Sequence, residues 1–81
     1  MTLYQEYYEE LSKRQLMKDY RSTSNLIADI KSVDGNFYLG ENKFVRLFQA
    51  EAEFAYIKYL LKTKFDTLFD SKKNVFFKFS K

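Results

Sequence analysis

Histidine and cysteine are absent from this chain. With them go the commonest general base and the side chains on which zinc sites and activated nucleophiles most depend. No zinc centre and no His-assisted serine or cysteine nucleophile is expected, and no cofactor. Proline is absent too, and the only glycines are Gly35 and Gly40. They cannot build a phosphate-cradling Gly-x-x-x-x-Gly-Lys loop, and such sparse punctuation predicts long helices. Secreted domains of this size often rely on disulfides, so the lack of cysteine favours a reducing, cytoplasmic setting. The first eleven residues contain Glu6, Glu9 and Glu10, where a signal peptide needs a basic start and an apolar stretch. Phe54 to Leu61, the most apolar stretch, is cut by Lys58 and falls short of the roughly 20 residues of a membrane span. A soluble chain without a transmembrane segment is expected.

What is present is apolar and aromatic. The 81 residues have room for one domain, and the hydrophobic fraction is 46% against 31% charged, a globular balance. Nine Phe and seven Tyr make aromatics 20% of the chain. The net charge of +3 hides an asymmetry. Residues 1–53 carry seven Lys/Arg against nine Asp/Glu, and residues 54–81 carry seven Lys against two Asp. The basic end either steers the protein toward an acidic surface or keeps an aromatic-rich segment soluble.

Tyr4, Tyr8 and Leu11, flanked by Leu3 and Tyr7, share a helical face, so residues 3–11 read as a short amphipathic helix. Ser12-Lys13-Arg14-Gln15 has the form of a capping box. It opens a second stripe (Leu16, Tyr20, Thr23, Ile27, Ile30) that predicts a helix over 13–33, with Ser22-Thr23-Ser24 as the place for a bend or break. Asp34-Gly35-Asn36 ends it, with Gly35 suited to the left-handed C-cap position. Phe37-Tyr38-Leu39 reads as a strand or extended connector. From Gly40 to Phe69 the positions Leu47, Ala50, Phe54, Ile57, Leu61 and Leu68 repeat at spacings of three and four, interrupted only at Lys64, predicting the longest helix. A second stripe (Val45, Phe48, Ala52, Tyr56, Tyr59) lies beside the first, and Lys43, Arg46, Gln49, Glu53, Lys62 and Asp66 fill the polar face. After a polar turn over 70–74, Val75 to Phe79 reads as a strand, with 37–39 its candidate partner. Val75, Phe77 and Phe79 would form its buried face. The expected fold is therefore α+β, mostly α, with two or three helices and a short two-stranded antiparallel ribbon.

Carboxylates are the remaining catalytic inventory. Asp66 and Asp70, four apart, would share a helix face, but Lys62 four residues earlier makes an ion-pair row of the same residues. Asp34-Gly35-Asn36 starts like a calcium loop and lacks its later ligands. No metal site and no catalysis are expected.

Binding is the expected role. A straight helix over 42–69 would be about 42 Å long, whereas a compact chain of this length has a radius of gyration near 12 Å. Such a rod either bends or is covered by another chain, and so many rings exceed what a small core absorbs. The chain is expected to act stoichiometrically on a protein partner as a regulator or inhibitor, and to form a homodimer through the long helix. The expected partner surface is Tyr56, Tyr59, Lys62, Lys72, Lys73 and Lys78. Small sticky chains without catalytic inventory are the type that phages and plasmids use against host machines.

Nucleic acid is the alternative partner. Lys72, Lys73, Lys78 and Lys81 interleave with Phe76, Phe77 and Phe79, a mixture that suits phosphates and stacked bases. The stretch Leu39-Gly40-Glu41-Asn42-Lys43-Phe44-Val45-Arg46-Leu47 resembles the turn and helix of small excisionase-type helix-turn-helix proteins. The likeness covers nine residues of 81, and the helix before it ends too early for a tight helix-turn-helix. It implies Lys43 and Arg46 facing DNA. A third reading uses the same lysines and phenylalanines at a membrane surface.

Overall fold

The fold was read from a computed structural model that describes residues 3–79. Lys81 lies outside the described residues, as do the side chains of Leu3 and Tyr4. Helix α1 spans Leu3–Glu9 and helix α2 Lys13–Ser32. The capping box between them forms: the Gln15 amide N–H donates to Ser12 Oγ (3.3 Å) and the Ser12 amide N–H to Gln15 Oε1 (3.2 Å). Two N–H groups that the first helical turn leaves without partners are thereby served. Helix α2 runs unbroken through Ser22-Thr23-Ser24, because packing along its Leu16–Ile30 side outweighs the weak helix preference of three small polar residues. Its C-cap is Val33 in extended backbone, two residues before the expected Gly35, which turns the chain outside the helix (φ 90°).

A two-residue strand β1 (Phe37–Tyr38) pairs with β2 (Glu41–Asn42). The loop between them is Leu39 (φ 50°) and Gly40 (φ 81°). Positive φ at both loop positions is what a type I′ hairpin turn demands, and glycine adopts it freely. Leucine does not; the left-handed conformation costs a side chain about 1–2 kcal/mol. Leu39 is also 85% exposed, so no packing offsets the strain. Leu39→Asn is expected to raise stability by about 1 kcal/mol, since Asn-Gly is the preferred pair for this turn. In a domain of this size the gain should read as a melting temperature about 4–8 °C higher.

Helix α3 then spans Lys43–Phe65, capped at its start by Asn42 Oδ1, which accepts from the amides of Phe44 (3.0 Å) and Val45 (3.2 Å). It stops short of Phe69 because Asp66 turns left-handed (φ 51°) and its N–H bonds back to Leu61 O. Thr67–Asp70 is strand β3, and it pairs with β4, Val75–Lys78, in the register Thr67↔Lys78 to Asp70↔Val75. The pairing of 37–39 with 75–79 is thus corrected. Each strand finds a sequence-local partner, β4 through a turn in which Asp70 Oδ1 accepts from the amides of Lys72 (3.0 Å) and Lys73 (3.3 Å). Local closure fixes less chain than a pairing across the whole of α3.

α2 and α3 pack antiparallel. The start of α2 and the end of α3 bury Leu16, Ile57, Leu60 and Leu61 with Tyr8 of α1, and the opposite ends bury Ile30, Ala50 and Tyr38. The inner stripe of α3 read from the sequence is this core side. Tyr20 joins the β3–β4 hairpin to the helices, its ring 4.6 Å from Phe54, 5.0 Å from Phe69 and 5.3 Å from Phe76. Arg21 clamps the hairpin tip: Nη1 donates to Asn74 Oδ1 (2.9 Å) while the guanidinium lies 5.2 Å from the centres of both Phe69 and Phe76. The class is α+β, mostly α. The body is flat, 46 × 33 × 14 Å, its shortest dimension little more than one helix diameter. Its radius of gyration is 13.8 Å, above the roughly 12 Å of a compact chain of this length.

Candidate functional site

The flat body leaves one side of α3 unpacked. Val45 (57% exposed), Phe48 (75%) and Tyr59 (57%) lie on it, with Ala52 and Tyr56 half-buried between them. These are the second apolar stripe of the sequence, spaced three and four residues apart, on the side of the helix away from Ala50, Ile57 and Leu61. Phe44 adds to its start, and the β1–β2 hairpin leaves Phe37 and Leu39 exposed at the same end of the molecule. The Tyr56 and Tyr59 rings stack with centres 6.0 Å apart, and the Tyr56 hydroxyl donates to Glu9 Oε1 (2.7 Å). The row is therefore ordered by α1 at one end and open at the other.

The expected partner residues do not form one surface. Tyr56, Tyr59 and exposed Lys62 fall together, one helical turn apart on α3. Lys72 and Lys73 stand at the tip of the β3–β4 hairpin, and Lys78 at its base. Lys43 and Arg46 turn inward. Lys43 Nζ donates to Val33 O at the end of α2, and Arg46 Nε sits 3.8 Å from Glu41 Oε2. Asp66 and Asp70 are not on a helix at all, being the C-cap of α3 and the turn acceptor of the hairpin. The expected Lys62–Asp66–Asp70 row does not form, because α3 ends at Phe65, before either aspartate. Val75, Phe77 and Phe79 are exposed and Phe76 packs inward, the reverse of the expected alternation. Among the described residues no group of three His, Cys, Asp or Glu gathers as metal ligands do. No helix there is long and apolar enough to cross a membrane.

Three tyrosines are held in their neutral form. Burial, and then donation to Glu53 Oε1 (3.1 Å), pushes the Tyr8 hydroxyl well above the ordinary tyrosine range. Burial raises Tyr20, and Tyr38 is raised by donating to Asp29 Oδ2 (2.6 Å) and by its own burial. Tyr8 braces α1, and Tyr38 the β1–β2 hairpin, against the longer helices. Phe44, Phe37 and Leu39 were missed as surface residues; the signal for Leu39 was a bulky side chain before a glycine in a two-residue turn.

No protein-family model matches the sequence, no curated protein is similar to it, and no solved structure matches its fold.

Proposed function

We propose that this chain is a non-enzymatic binding protein that acts stoichiometrically on a protein partner, as a regulator or inhibitor, through the outer side of α3. The row Val45, Phe48, Ala52, Tyr56, Tyr59 carries the reading. Burying a Phe or Val side chain yields about 1.5–3 kcal/mol, and the flat monomer leaves this gain unused along most of one helix. The spacing of the row suits a second helix laid against it. Its residues bear no cation, which favours a protein over a polyanion.

The same row supports self-association. Val45 and Tyr59 stand seven residues either side of Ala52, and Phe48 and Tyr56 four either side. A second copy running antiparallel would set Val45 against Tyr59 and Phe48 against Tyr56, with the small Ala52 allowing close approach at the two-fold axis. The homodimer and the partner complex compete for one surface.

A photo-crosslinking phenylalanine analogue at position 48, activated in host cells, tests this. Adducts of twice the chain mass, or to another protein and resistant to nuclease, are expected. Phe48→Glu should weaken either association by roughly 30-fold, the effect of losing an interface hot spot of about 2 kcal/mol. It should leave the far-UV circular dichroism unchanged. Adducts that disappear on nuclease treatment, or none at all from a folded protein, would refute the reading.

A further inference from the structure

A cleft of about 550 Å³ opens between the start of α2 and the base of the β3–β4 hairpin. Among the described residues three cations line it, Lys13 and Arg14 from α2 and Lys78 from β4, and no carboxylate does. None of the three makes an ion pair among the described residues; the pairs found there are Lys31–Glu51 and Arg46–Glu41. Its apolar lining is Met17, Phe76 and Phe77, the last 44% exposed.

The placement of these charges is unfavourable to the fold. The N-terminal end of a helix carries partial positive charge, so acids belong in its first turn and bases in its last. α2 has Lys13 and Arg14 in its first turn and no acid there. Lys78 adds a third like charge across the cleft. Local rules broken without compensation are expected where a sequence serves binding before stability. The helix terminus is not the site, its Gln15 amide being held by the capping box; the cationic walls and the ring are.

We infer that this cleft binds nucleotide units of single-stranded nucleic acid, with backbone phosphates on Lys13, Arg14 and Lys78 and a base on Phe77. Cations lining a groove beside a ring match the phosphate-plus-stacking pattern of sequence-tolerant strand binders. Phe79, also 44% exposed, follows Lys78 just past the end of β4 and offers a place for the next base. A peptide carboxylate supplies one negative charge, which leaves most of the cleft's charge unmatched. The cleft is separate from the outer row of α3, so this activity stands or falls independently of partner binding there.

Fluorescence anisotropy with labelled pentamers of thymidylate and of uridylate tests it at 50 and 200 mM salt. With three phosphates engaged, the affinity should fall roughly 18-fold between the two salts, at a slope of about −0.7 per contact. Arg14→Glu and Lys78→Glu should each weaken binding at least tenfold and flatten that slope. Arg14→Glu puts an acid where the helix favours one, so lost binding cannot be ascribed to unfolding. Phe77→Ala should weaken it roughly fivefold or more. Lys31→Glu, about 25 Å along α2 from Arg14, should have no effect. Competition by free uridine monophosphate at millimolar concentration would mark a mononucleotide as the natural ligand, and its failure against bound pentamer a strand. No binding of pentamer or mononucleotide at 50 mM salt, or equal binding by Arg14→Glu and Lys78→Glu, overturns the inference. So does tighter binding of an acidic peptide than of either pentamer.

Discussion

Ile57→Ala is expected to lower stability by about 3–4 kcal/mol and to leave much of the chain unfolded at 37 °C. Ile57 has no solvent exposure and sits among Tyr8, Leu16, Leu60 and Leu61, where α1, α2 and α3 meet. Truncating it removes three buried carbons and opens a cavity whose walls belong to three different helices. A domain of this length has roughly 4–12 kcal/mol of stability in all. A flat body with so few fully buried side chains belongs at the low end of that range. The melting temperature should fall by about 12 °C or more, read from far-UV circular dichroism. Phe48→Ala, measured at a concentration where the chain is monomeric, is the control: it is a larger truncation in a side chain that is 75% exposed, and should cost no more than about 0.5 kcal/mol. Equal losses from the two would mean that the buried cluster at Ile57 is not what holds the helices together.

That contrast shows which features were legible. Both stripes of α3 were written in the sequence, since a 3.6-residue period leaves the same mark whether a face meets protein or water. Periodicity identified the helix and could not rank its faces. The capping box at Ser12–Gln15 was legible because its chemistry is contained within four residues. The end of α3 was not. Leu68 falls on the helical period by coincidence, while Thr67, Leu68 and Phe69 are also good strand residues with a strand-forming segment eight residues away. Tertiary pairing decided between them, and Asp66 accepted a left-handed backbone as a result. The phase of β4 was equally ambiguous. Phe76 and Phe77 are neighbours of the same type, so alternation could not say which faces Tyr20.

Tyr56, Tyr59 and Lys62 belong to one helix and stay together. Lys72, Lys73 and Lys78 share only charge and proximity in sequence, and the hairpin separates them by its own length. Lys78 instead meets Lys13 and Arg14, residues more than sixty positions away, a neighbourhood that no local reading supplies.

Alkaline pH should unfold the chain through its tyrosines. In the unfolded state each tyrosine ionises near pH 10. In the folded state Tyr8, Tyr20 and Tyr38 all hold their protons to higher pH. Below about pH 10 both states are protonated and stability is complete. Above it the unfolded chain releases protons that the folded chain keeps, so stability falls, and it goes on falling until the folded pKa values are passed. Tyr8 contributes most, because its ionisation would place a buried phenolate beside the Glu53 carboxylate that now accepts its proton. For Tyr8 the loss approaches about 1.4 kcal/mol for each pH unit above 10 until its folded pKa is reached, and Tyr20 and Tyr38 add to it in the same direction. Urea midpoints at pH 8, 10 and 11 measure it. They should be close at pH 8 and 10 and clearly lower at 11. Tyr8→Phe should be less stable at pH 8, where Glu53 loses its donor, yet show a shallower decline above pH 10. A midpoint at pH 11 equal to that at pH 8 would show that Tyr8, Tyr20 and Tyr38 ionise as freely in the fold as out of it, and that the bond from Tyr8 to Glu53 does not brace α1 on α3.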